Sequence, residues 1–464
     1  MNHETHYASV QRPVETCVVG SGGFGRSFLA QALRIPLVNC RVAIDREAGI
    51  AAAALRSIGL KDTQFAVCDT PAHAAQAWER GLHIAASDVS VVLGLPLDLL
   101  IEATGHPEAG ARHARLAIEA GLHVAMASKE VDSVIGCELA RRAQAKGRVV
   151  TPVDGDQPSL LIGLVTWART LGLEIVAAGK SSEYDFVFDA ASGQIDSNGN
   201  RIPAPGFDAF WTLGDGDVAA LARARAEACA GLPQRAVPDL CELLVVANAT
   251  GLVPDRKDLH APIARISEVP TMFAPRAAGG LLARSGTLDV FHCLRAPQEI
   301  SLAGGVFVVV RCEDEESWQL LAGKGHIMSR DRRHAMLPIP RHLLGLEAAT
   351  SVLDAVVHGR SSGAQQPHPV VDLVARATRT LSAGTRLEMG GHHHTIAGTA
   401  AELLPAAALG PGVPVPFYLA ANRKLVRDVA AGNAICFDDI EIESGSELLA
   451  LRRAQDAAFF PPAR

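Results

Sequence analysis

The chain has 464 residues, of which 48% are hydrophobic and 20% charged, a composition typical of a folded protein too long for one hydrophobic core. Its formal net charge of −7 argues against a basic nucleic-acid-binding surface, so we expect no nucleic-acid partner. The nine cysteines are scattered without a Cys-x-x-Cys pair, and the N-terminus lacks the features of a signal peptide. No apolar run is long enough to span a bilayer, so the sequence predicts a soluble cytoplasmic protein that does not bind membranes.

Short apolar runs alternate with Ala-rich stretches between residues 14 and 153. This alternation predicts an α/β fold that begins with a Rossmann domain, a doubly wound parallel sheet with helices on both faces. The predicted strands are Thr16–Val19, Arg41–Ile44, Asp98–Glu102, His123–Ala127 and Val149–Val153, and the predicted helices include Phe24–Leu33, Glu108–Ala120 and Ser133–Lys146.

The remainder of the chain predicts an α+β catalytic domain. Its predicted elements are a helix at Ser159–Leu171, a strand at Glu174–Ala178, a helical region over 217–251, a strand over 305–310 and a helix at Leu343–His358. The segment 180–216 is rich in Gly, Asp, Ser, Asn and Pro without a clear period, and we expect a long loop there.

A linker at 360–369 precedes a weak internal repeat, in which Leu381 corresponds to Val429 and Gly384 to Gly432. Each copy places a small-residue turn between short β-like segments, which predicts a small all-β module with a pseudo-dyad. The sequence thus predicts three domains, spanning residues 1–155, 156–360 and 361–464.

A glycine-rich motif follows the first predicted strand and opens the first helix. Gly20 permits a tight turn, Gly22 lets the backbone approach a pyrophosphate, and Gly25 allows close packing of helix on strand. With Gly23 and Phe24, these residues predict a site for a nicotinamide dinucleotide at the helix N-terminus.

Two further positions bear on the cofactor. Asp45 ends the second strand, where a carboxylate binds the ribose hydroxyls of NAD, whereas the adjacent Arg46 would suit the 2′-phosphate of NADP; NAD is slightly favoured. Thr104 and Gly105 end the third strand and are expected at the nicotinamide end, although a plain strand-to-helix turn explains them equally well.

Three successive strands end in residues suited to hydride-transfer chemistry: Lys129, Asp156 and Lys180. An ammonium group stabilises or protonates the alkoxide that develops when hydride is added to a carbonyl. Asp239 and Glu242 lie one turn apart on a predicted helix, where they would hold substrate hydroxyls or simply favour the helix N-terminus. We therefore take Lys180, Lys129, Asp156 and Glu242 as the candidate catalytic residues.

The histidine run 392–394 predicts a solvated turn rather than a metal site, because consecutive strand residues point to opposite faces of a sheet. We predict no metal there.

An ordered series of motifs resembles the homoserine dehydrogenase-like oxidoreductases, and within them the group that is similar to 1-deoxy-D-xylulose 5-phosphate reductoisomerase. The series comprises GSGGFG (20–25), LIEATGHPEAG (100–110), HVAMASKEVD (123–132), GDQP (155–158), IVAAGK (175–180), VANATGLVPD (246–255), AAGGLLARSG (277–286), GGVFVVV (304–310) and RHLLGLEAATSV (341–352). The C-terminal repeat resembles a SAF (β-clip) domain.

This resemblance implies an NAD(P)-dependent oxidoreductase, with Lys180 in the place of an active-site lysine and Glu242 in that of a glutamate on a catalytic-domain helix. It also implies a homo-oligomer. The activity that the family name implies is the reduction and rearrangement of a phosphorylated ketose. The second candidate activity is that of a dehydrogenase, which would act on a homoserine-like alcohol or on another small polar hydroxy or carbonyl compound.

The chain departs from the family at 235–238, where it reads Arg-Ala-Val-Pro instead of Asp-Gly-Ser/Thr-Lys. This departure keeps a non-catalytic cofactor-binding sensor or accessory protein open as the alternative.

Overall fold

The structure is a computed structural model that describes residues 2–391 and 393–461. Its first part is a seven-stranded parallel sheet in the order β3-β4-β2-β1-β5-β6-β7, with helices between the strands. The elements in chain order are α1 (His3–His6), β1 (Val14–Val19), α2 (Gly23–Ala32), β2 (Val38–Ile44), α3 (Ala48–Ser57), β3 (Phe65–Val67), α4 (Pro71–Glu79), β4 (His83–Ala86), β5 (Leu99–Glu102), α5 (Pro107–Glu119), β6 (His123–Met126), α6 (Lys129–Ala145) and β7 (Val150–Pro152).

This sheet confirms the predicted Rossmann-type fold. Every residue of β5 is buried, as expected for a parallel strand covered on both faces. The chain places β2, β3 and β4 on one side of β1 and β5, β6 and β7 on the other. The sheet therefore has a topological switch point at the carboxyl end of β1. Ligands bind at such a switch point in open α/β sheets.

The second part is a mixed sheet whose main path is β11-β10-β9-β14-β8-β15-β17-β16. Its central strand β8 pairs in parallel with β14 and antiparallel with β15, which places Lys180 opposite Val290 and Val306. The elements are α7 (Gln157–Thr170), β8 (Ile175–Ser181), β9 (Phe186–Asp189), β10 (Gln194–Ser197), β11 (Asn200–Pro203), α8 (Val218–Ala228), α9 (Val237–Thr250), β12 (Val253–Pro254), β13 (Ile263–Ala264), α10 (Val269–Met272), β14 (Thr287–Arg295), β15 (Val306–Arg311), α11 (Glu315–Gly323), β16 (Ile327–Met328), β17 (His334–Ile339) and α12 (Ala349–Val357).

The prediction of a long loop over 180–216 is wrong, because three strands, β9, β10 and β11, lie within this segment. β10 and β11 form a hairpin around Asn198 and Gly199, which both adopt positive φ, at 50° and 76°. An Asn-Gly pair favours this kind of two-residue hairpin turn, so the sequence does carry a signal for the hairpin.

Helix α12 returns to the first sheet and packs on β1, β6 and β7. It begins at Ala349, six residues after the predicted start, because residues 344–346 form a separate 3-10 turn. Within that turn, the backbone N–H of Gly345 donates to the Ser27 hydroxyl of α2 at 3.1 Å. The segment around residue 345 therefore lies against the helix that opens with the glycine-rich motif.

The third part contains β18 (Val371–Ala377), β19 (Met389–Gly390), β20 (Thr395–Ile396), β21 (Thr399–Pro405), α13 (Phe417–Ala420) and α14 (Glu447–Phe459). Leu381 and Val429 exchange both backbone hydrogen bonds, at 2.9 and 2.8 Å. They occupy equivalent positions of the weak repeat, so their reciprocal pairing is what a local two-fold axis requires. The structure adds two helices, the short α13 and the longer α14, to the β-rich module that the sequence predicts.

Helix α14 anchors this part to the first sheet by packing on α5 and α6. The side-chain amide of Gln455 donates to the carbonyl of Val134 and accepts from the N–H of Glu138, both at 3.1 Å. The Arg452 guanidinium is buried and pairs with Asp372 of β18 at 2.7 Å. Hydrogen bonds and a buried ion pair thus join α14 both to α6 and to its own module.

Across residues 2–391 and 393–461, none of the helices combines the length and the apolar character needed to cross a membrane. Of the histidine run, residue 392 lies outside the described residues. His393 and His394 are half-buried rather than solvated, since His393 contacts the ring of Tyr184 and His394 that of Tyr418.

Candidate active site

The glycine-rich turn between β1 and α2 has a shape that only glycine permits at two positions. Gly20 has φ of +92°, and a Cβ there would lie 2.5 Å from the carbonyl oxygen of Ala103. A Cβ on Gly25 would lie 1.9 Å from the carbonyl oxygen of Gly20. Both distances are far below van der Waals contact, so the glycines allow β1, β5 and α2 to approach closely.

The other two glycines of the motif face open space. Gly22 is the N-cap of α2 and Gly23 its first residue; both are exposed, and a Cβ on either would meet no atom within 4 Å. The unpaired N–H groups and the positive dipole end of α2 are therefore accessible, with half-buried Phe24 beside them. These residues fit the pyrophosphate of a dinucleotide.

Asp45 is bound to this turn. Its Oδ2 accepts hydrogen bonds from the Ser21 N–H at 2.8 Å and the Ser21 hydroxyl at 2.6 Å, while its Oδ1 accepts from the Arg46 N–H at 2.8 Å. Lone pairs remain on the carboxylate for a ribose hydroxyl. The exposed Arg46 guanidinium has no ion pair among the described residues, so it remains available to a 2′-phosphate. The turn therefore suits NAD through Asp45 and NADP through Arg46.

The ends of the next strands are linked to the glycine-rich turn one after another. Thr104 follows β5 and donates its hydroxyl to Glu102 at 2.6 Å, and its backbone lies beside Gly20. The N–H of the exposed Gly105 donates to the Ser128 hydroxyl at 2.8 Å, immediately before α6. Gly105 also lines a cavity of about 740 Å³ that opens between α5 and residues 384–448. The expected nicotinamide end thus adjoins a space large enough for a small molecule.

A cluster of charged side chains continues along the same edge. The Lys129 ammonium, on the first residue of α6, donates to Asp156 at 3.1 and 3.2 Å and to Glu242 of α9 at 2.5 Å. The Lys180 ammonium of β8 donates to the other oxygen of Glu242 and to Asp239 at 2.8 Å. The structure thus brings together the four candidate catalytic residues and adds Asp239 as a direct partner of Lys180.

Charge pairing fixes the ionisation of this cluster. Burial alone would lower the pKa of Lys129, but Asp156 and Glu242 outweigh it and hold that pKa well above its usual value. Burial opposes ionisation of Glu242, yet Lys129 and Lys180 outweigh it and hold the pKa of Glu242 below its usual value. Both ammonium groups and the Glu242 carboxylate are therefore charged at neutral pH.

The two lysines differ in their access to solvent. The Lys180 side chain is 2% exposed and is enclosed by its two carboxylate partners, whereas the Lys129 side chain is 21% exposed. Ser182 donates its hydroxyl to Asp239 at 2.7 Å and completes the buried end of the cluster. The Lys129 side chain is thus the more exposed of the two, and Lys180 lies deeper in the cluster.

His342 also lies at this site, and sequence reasoning missed it. Its Nε2 lies 3.5 Å from Asp156, its Nδ1 lies 3.3 Å from the amide nitrogen of Gln157, and its side chain is 15% exposed. Burial lowers the pKa of this imidazole below its ordinary value, against the opposing charge of Asp156. The carbonyl oxygen of the Gln157 side chain is buried without a partner among the described residues.

Comparisons with known proteins identify one matching family model. Residues 238–348 match the catalytic domain of the DRL oxidoreductase, a region that includes Asp239, Glu242 and His342. No curated protein matches the sequence.

Several solved structures show weak similarity. A DOX-P reductoisomerase with fosmidomycin and magnesium is 16% identical over 37% of this chain and 46% of its own, with a TM-score of 0.28. The 1-deoxy-D-xylulose 5-phosphate reductoisomerase from Zymomonas mobilis with NADPH is 20% identical over 37% and 46%, with a TM-score of 0.27. GenD2 from gentamicin A biosynthesis with NAD is 16% identical over 76% and 88%, with a TM-score of 0.33. The chain spans less than half the length of both reductoisomerases, and TM-scores this low assign no function.

Proposed function

We propose that the protein is an NAD(P)-dependent oxidoreductase that interconverts a hydroxyl and a carbonyl group on a small polar molecule. The observation that carries this proposal is the sharing of Glu242 by Lys129 and Lys180, at the sheet edge where the glycine-rich turn lies. The match of residues 238–348 to an oxidoreductase catalytic domain supports it. A sugar phosphate, as in a reductoisomerase-like reaction, and a homoserine-like alcohol are both substrates of the right kind.

The cofactor would bind across Gly20, Gly22, Gly23, Phe24 and Gly25, with Asp45 or Arg46 at the adenosine ribose and Thr104 and Gly105 toward the nicotinamide. When bound, NAD(P) supplies the hydride donor or acceptor. The protein's own residues then have to bind the substrate oxygen and manage its proton.

Lys129 is suited to contact the substrate oxygen. It remains an ammonium at neutral pH, so it stabilises the negative charge that develops on a carbonyl oxygen during reduction. Lys180 acts through Glu242: because its charge helps to keep Glu242 ionised, it fixes the carboxylate that orients Lys129. Lys180 is therefore a positioning residue in this proposal, rather than the group that meets the substrate.

His342 is suited to carry the proton. An ammonium with a raised pKa is a poor base, whereas the lowered pKa of His342 leaves its imidazole neutral near pH 7. In the oxidation direction His342 accepts the hydroxyl proton, and in the reduction direction the protonated ring returns it to the alkoxide. Asp156 contacts both Lys129 and His342 and holds the two groups together.

The test combines cofactor binding with turnover. Binding of NADH and NADPH is measured by nicotinamide fluorescence, and turnover is measured in both directions on a panel of hydroxy acids, ketoses and sugar phosphates. We expect binding of at least one cofactor and turnover of at least one substrate. Binding without turnover across the panel would favour a cofactor-binding sensor instead.

Matched lysine variants then test the roles. Lys129→Met is expected to reduce kcat by about a hundredfold or more, the usual effect of losing an electrostatic catalyst, with cofactor Kd unchanged. Lys146→Met is the control, because Lys146 is exposed just beyond the opposite end of the same helix. Lys180→Met should also lower kcat about a hundredfold. Because both lysines lower the pKa of Glu242, each variant should raise that pKa and shift the pH dependence of turnover, and Lys146→Met should not. Near-normal rates in both variants would overturn the mechanism.

A further inference from the structure

We propose a second site in this protein: a binding site for a divalent transition-metal ion formed by His6, Asp354 and His358. One ligand atom from each of these side chains lies within 4.8 Å of the others, a spacing that one ion can bridge. The site lies on α1 and α12 and shares no residue with the charge cluster around Glu242. It is therefore independent of the proposed oxidoreductase function.

Two segments far apart in the chain form this site. Asp354 and His358 are four residues apart, so they lie on the same face of α12 at its C-terminal end. His6 ends α1, and its Nε2 lies 3.0 Å from Oδ1 of Asp354. The imidazole centroids of His6 and His358 are 4.2 Å apart, so both rings already face the same small volume.

Neighbouring groups fix the orientation of the three side chains. The Nε2 of His358 lies 3.1 Å from the backbone carbonyl of His6, and the Tyr7 hydroxyl donates to Asp354 Oδ1 at 3.0 Å. Metal-binding histidines and carboxylates are commonly held by hydrogen bonds of this kind to backbone carbonyls and polar side chains. The His6 and Asp354 side chains are 18% and 28% exposed, so an ion can enter from solvent.

The ligand set indicates which ions would bind. Two imidazoles and one carboxylate suit Zn²⁺, Co²⁺, Ni²⁺ or Cu²⁺, whereas Mg²⁺ and Ca²⁺ prefer all-oxygen sites. With three protein ligands, a four-coordinate ion keeps one position for water. The ion would cross-link the N-terminal segment to α12, the helix that packs on β1, β6 and β7.

The test uses the full chain without a histidine tag, stripped of metal with a chelator. Titration with Co²⁺ is followed by visible absorption and titration with Zn²⁺ by calorimetry, while Tm is measured with Zn²⁺ and with Mg²⁺. We expect one strong site per chain, absorption typical of four-coordinate Co²⁺, and a higher Tm with Zn²⁺ but not with Mg²⁺.

Variants locate the site. His6→Ala and His358→Ala should each weaken Zn²⁺ binding at least tenfold, and His3→Ala should not, because the exposed His3 is on the same short helix but outside the cluster. His6→Ala keeps the test valid if His358→Ala does not fold, since no residue of the short helix α1 is buried. Absence of a strong site in the parent protein, or equal loss in His3→Ala, would overturn the proposal.

Discussion

Lys129 and Lys180 bind opposite oxygens of the same carboxylate, Glu242, although Lys129 follows β6 of the parallel sheet and Lys180 lies in β8 of the mixed sheet. Glu242 pairs with both ammonium groups, whereas Asp156 pairs with Lys129 and Asp239 with Lys180, so the Glu242 carboxylate is the charge that joins the two halves of the cluster. Glu242 is also buried, so water cannot easily take its place beside the two ammonium groups if its charge is removed.

We expect Glu242→Gln to lower the free energy of unfolding by roughly 3–5 kcal/mol, the usual cost of breaking a buried ion pair by removing one partner. Urea unfolding at neutral pH measures this change. Glu119→Gln is the control: its partner Arg115 lies 2.5 Å away on the surface, and the loss should be no more than about 1 kcal/mol. Equal effects of the two substitutions would contradict the role of Glu242.

Gly25→Ala should destabilise the protein and abolish dinucleotide binding, because the new Cβ would meet the carbonyl oxygen of Gly20 at 1.9 Å. Thermal unfolding and NADH fluorescence measure the two effects. Gly163→Ala provides the comparison, since that exposed glycine in α7 has open space around it and alanine favours a helix by about 0.5–1 kcal/mol. A stable Gly25→Ala variant that still binds cofactor would show that the close approach of α2 is not required.

Asp45→Ala and Arg46→Ala should change cofactor preference in opposite directions. Loss of the Asp45 carboxylate removes a partner for the ribose hydroxyls of NAD, whereas loss of Arg46 removes a partner for the 2′-phosphate of NADP. The ratio of the NADH and NADPH dissociation constants measures the preference. An unchanged ratio in both variants would mean that neither side chain contacts the adenosine ribose.

Asp132→Asn should make stability less dependent on pH. Burial raises the pKa of this carboxyl to about 7, above its value in an unfolded chain, so the folded state favours the protonated form. The free energy of unfolding therefore falls as pH rises from about 4 to about 7, and the asparagine variant escapes this loss. We expect Asp132→Asn to be more stable than the parent at pH 8 and similar to it at pH 4.

Urea unfolding at the two pH values checks the Asp132 prediction, with the exposed Asp69→Asn as the control. Parallel stability curves for Asp132→Asn and the parent would contradict it.

The parallel sheet could be predicted from sequence because each of its features is local. Five of its seven strands are short apolar runs, and Gly20 to Gly25 give a turn signal beside the first of them. β3 and β4 were not predicted, since Phe65–Val67 and His83–Ala86 are three and four residues long and offer little periodicity. The hairpin around Asn198 and Gly199 lies in a segment whose polar composition predicts a loop, although the Asn-Gly pair itself favours a hairpin turn.

Part of the candidate site could also be predicted from sequence, because some of its residues follow local patterns. Lys129, Asp156 and Lys180 each follow an apolar run, so the edge that they share can be read from the sequence. His342 could not be placed there, because it is 186 residues from Asp156 and approaches it only through the tertiary fold. The enclosure of Lys180 by Asp239 and Glu242 likewise depends on how α9 packs beside β8.

The contact between Gln455 and α6 has a consequence for biosynthesis. This amide binds Val134 and Glu138 on the helix whose first residue is Lys129. During translation, residue 129 leaves the ribosome more than three hundred residues before Gln455 does. We therefore expect the nascent chain to carry an incompletely supported α6, and the Lys129 ammonium to reach its final place only after α14 has been made.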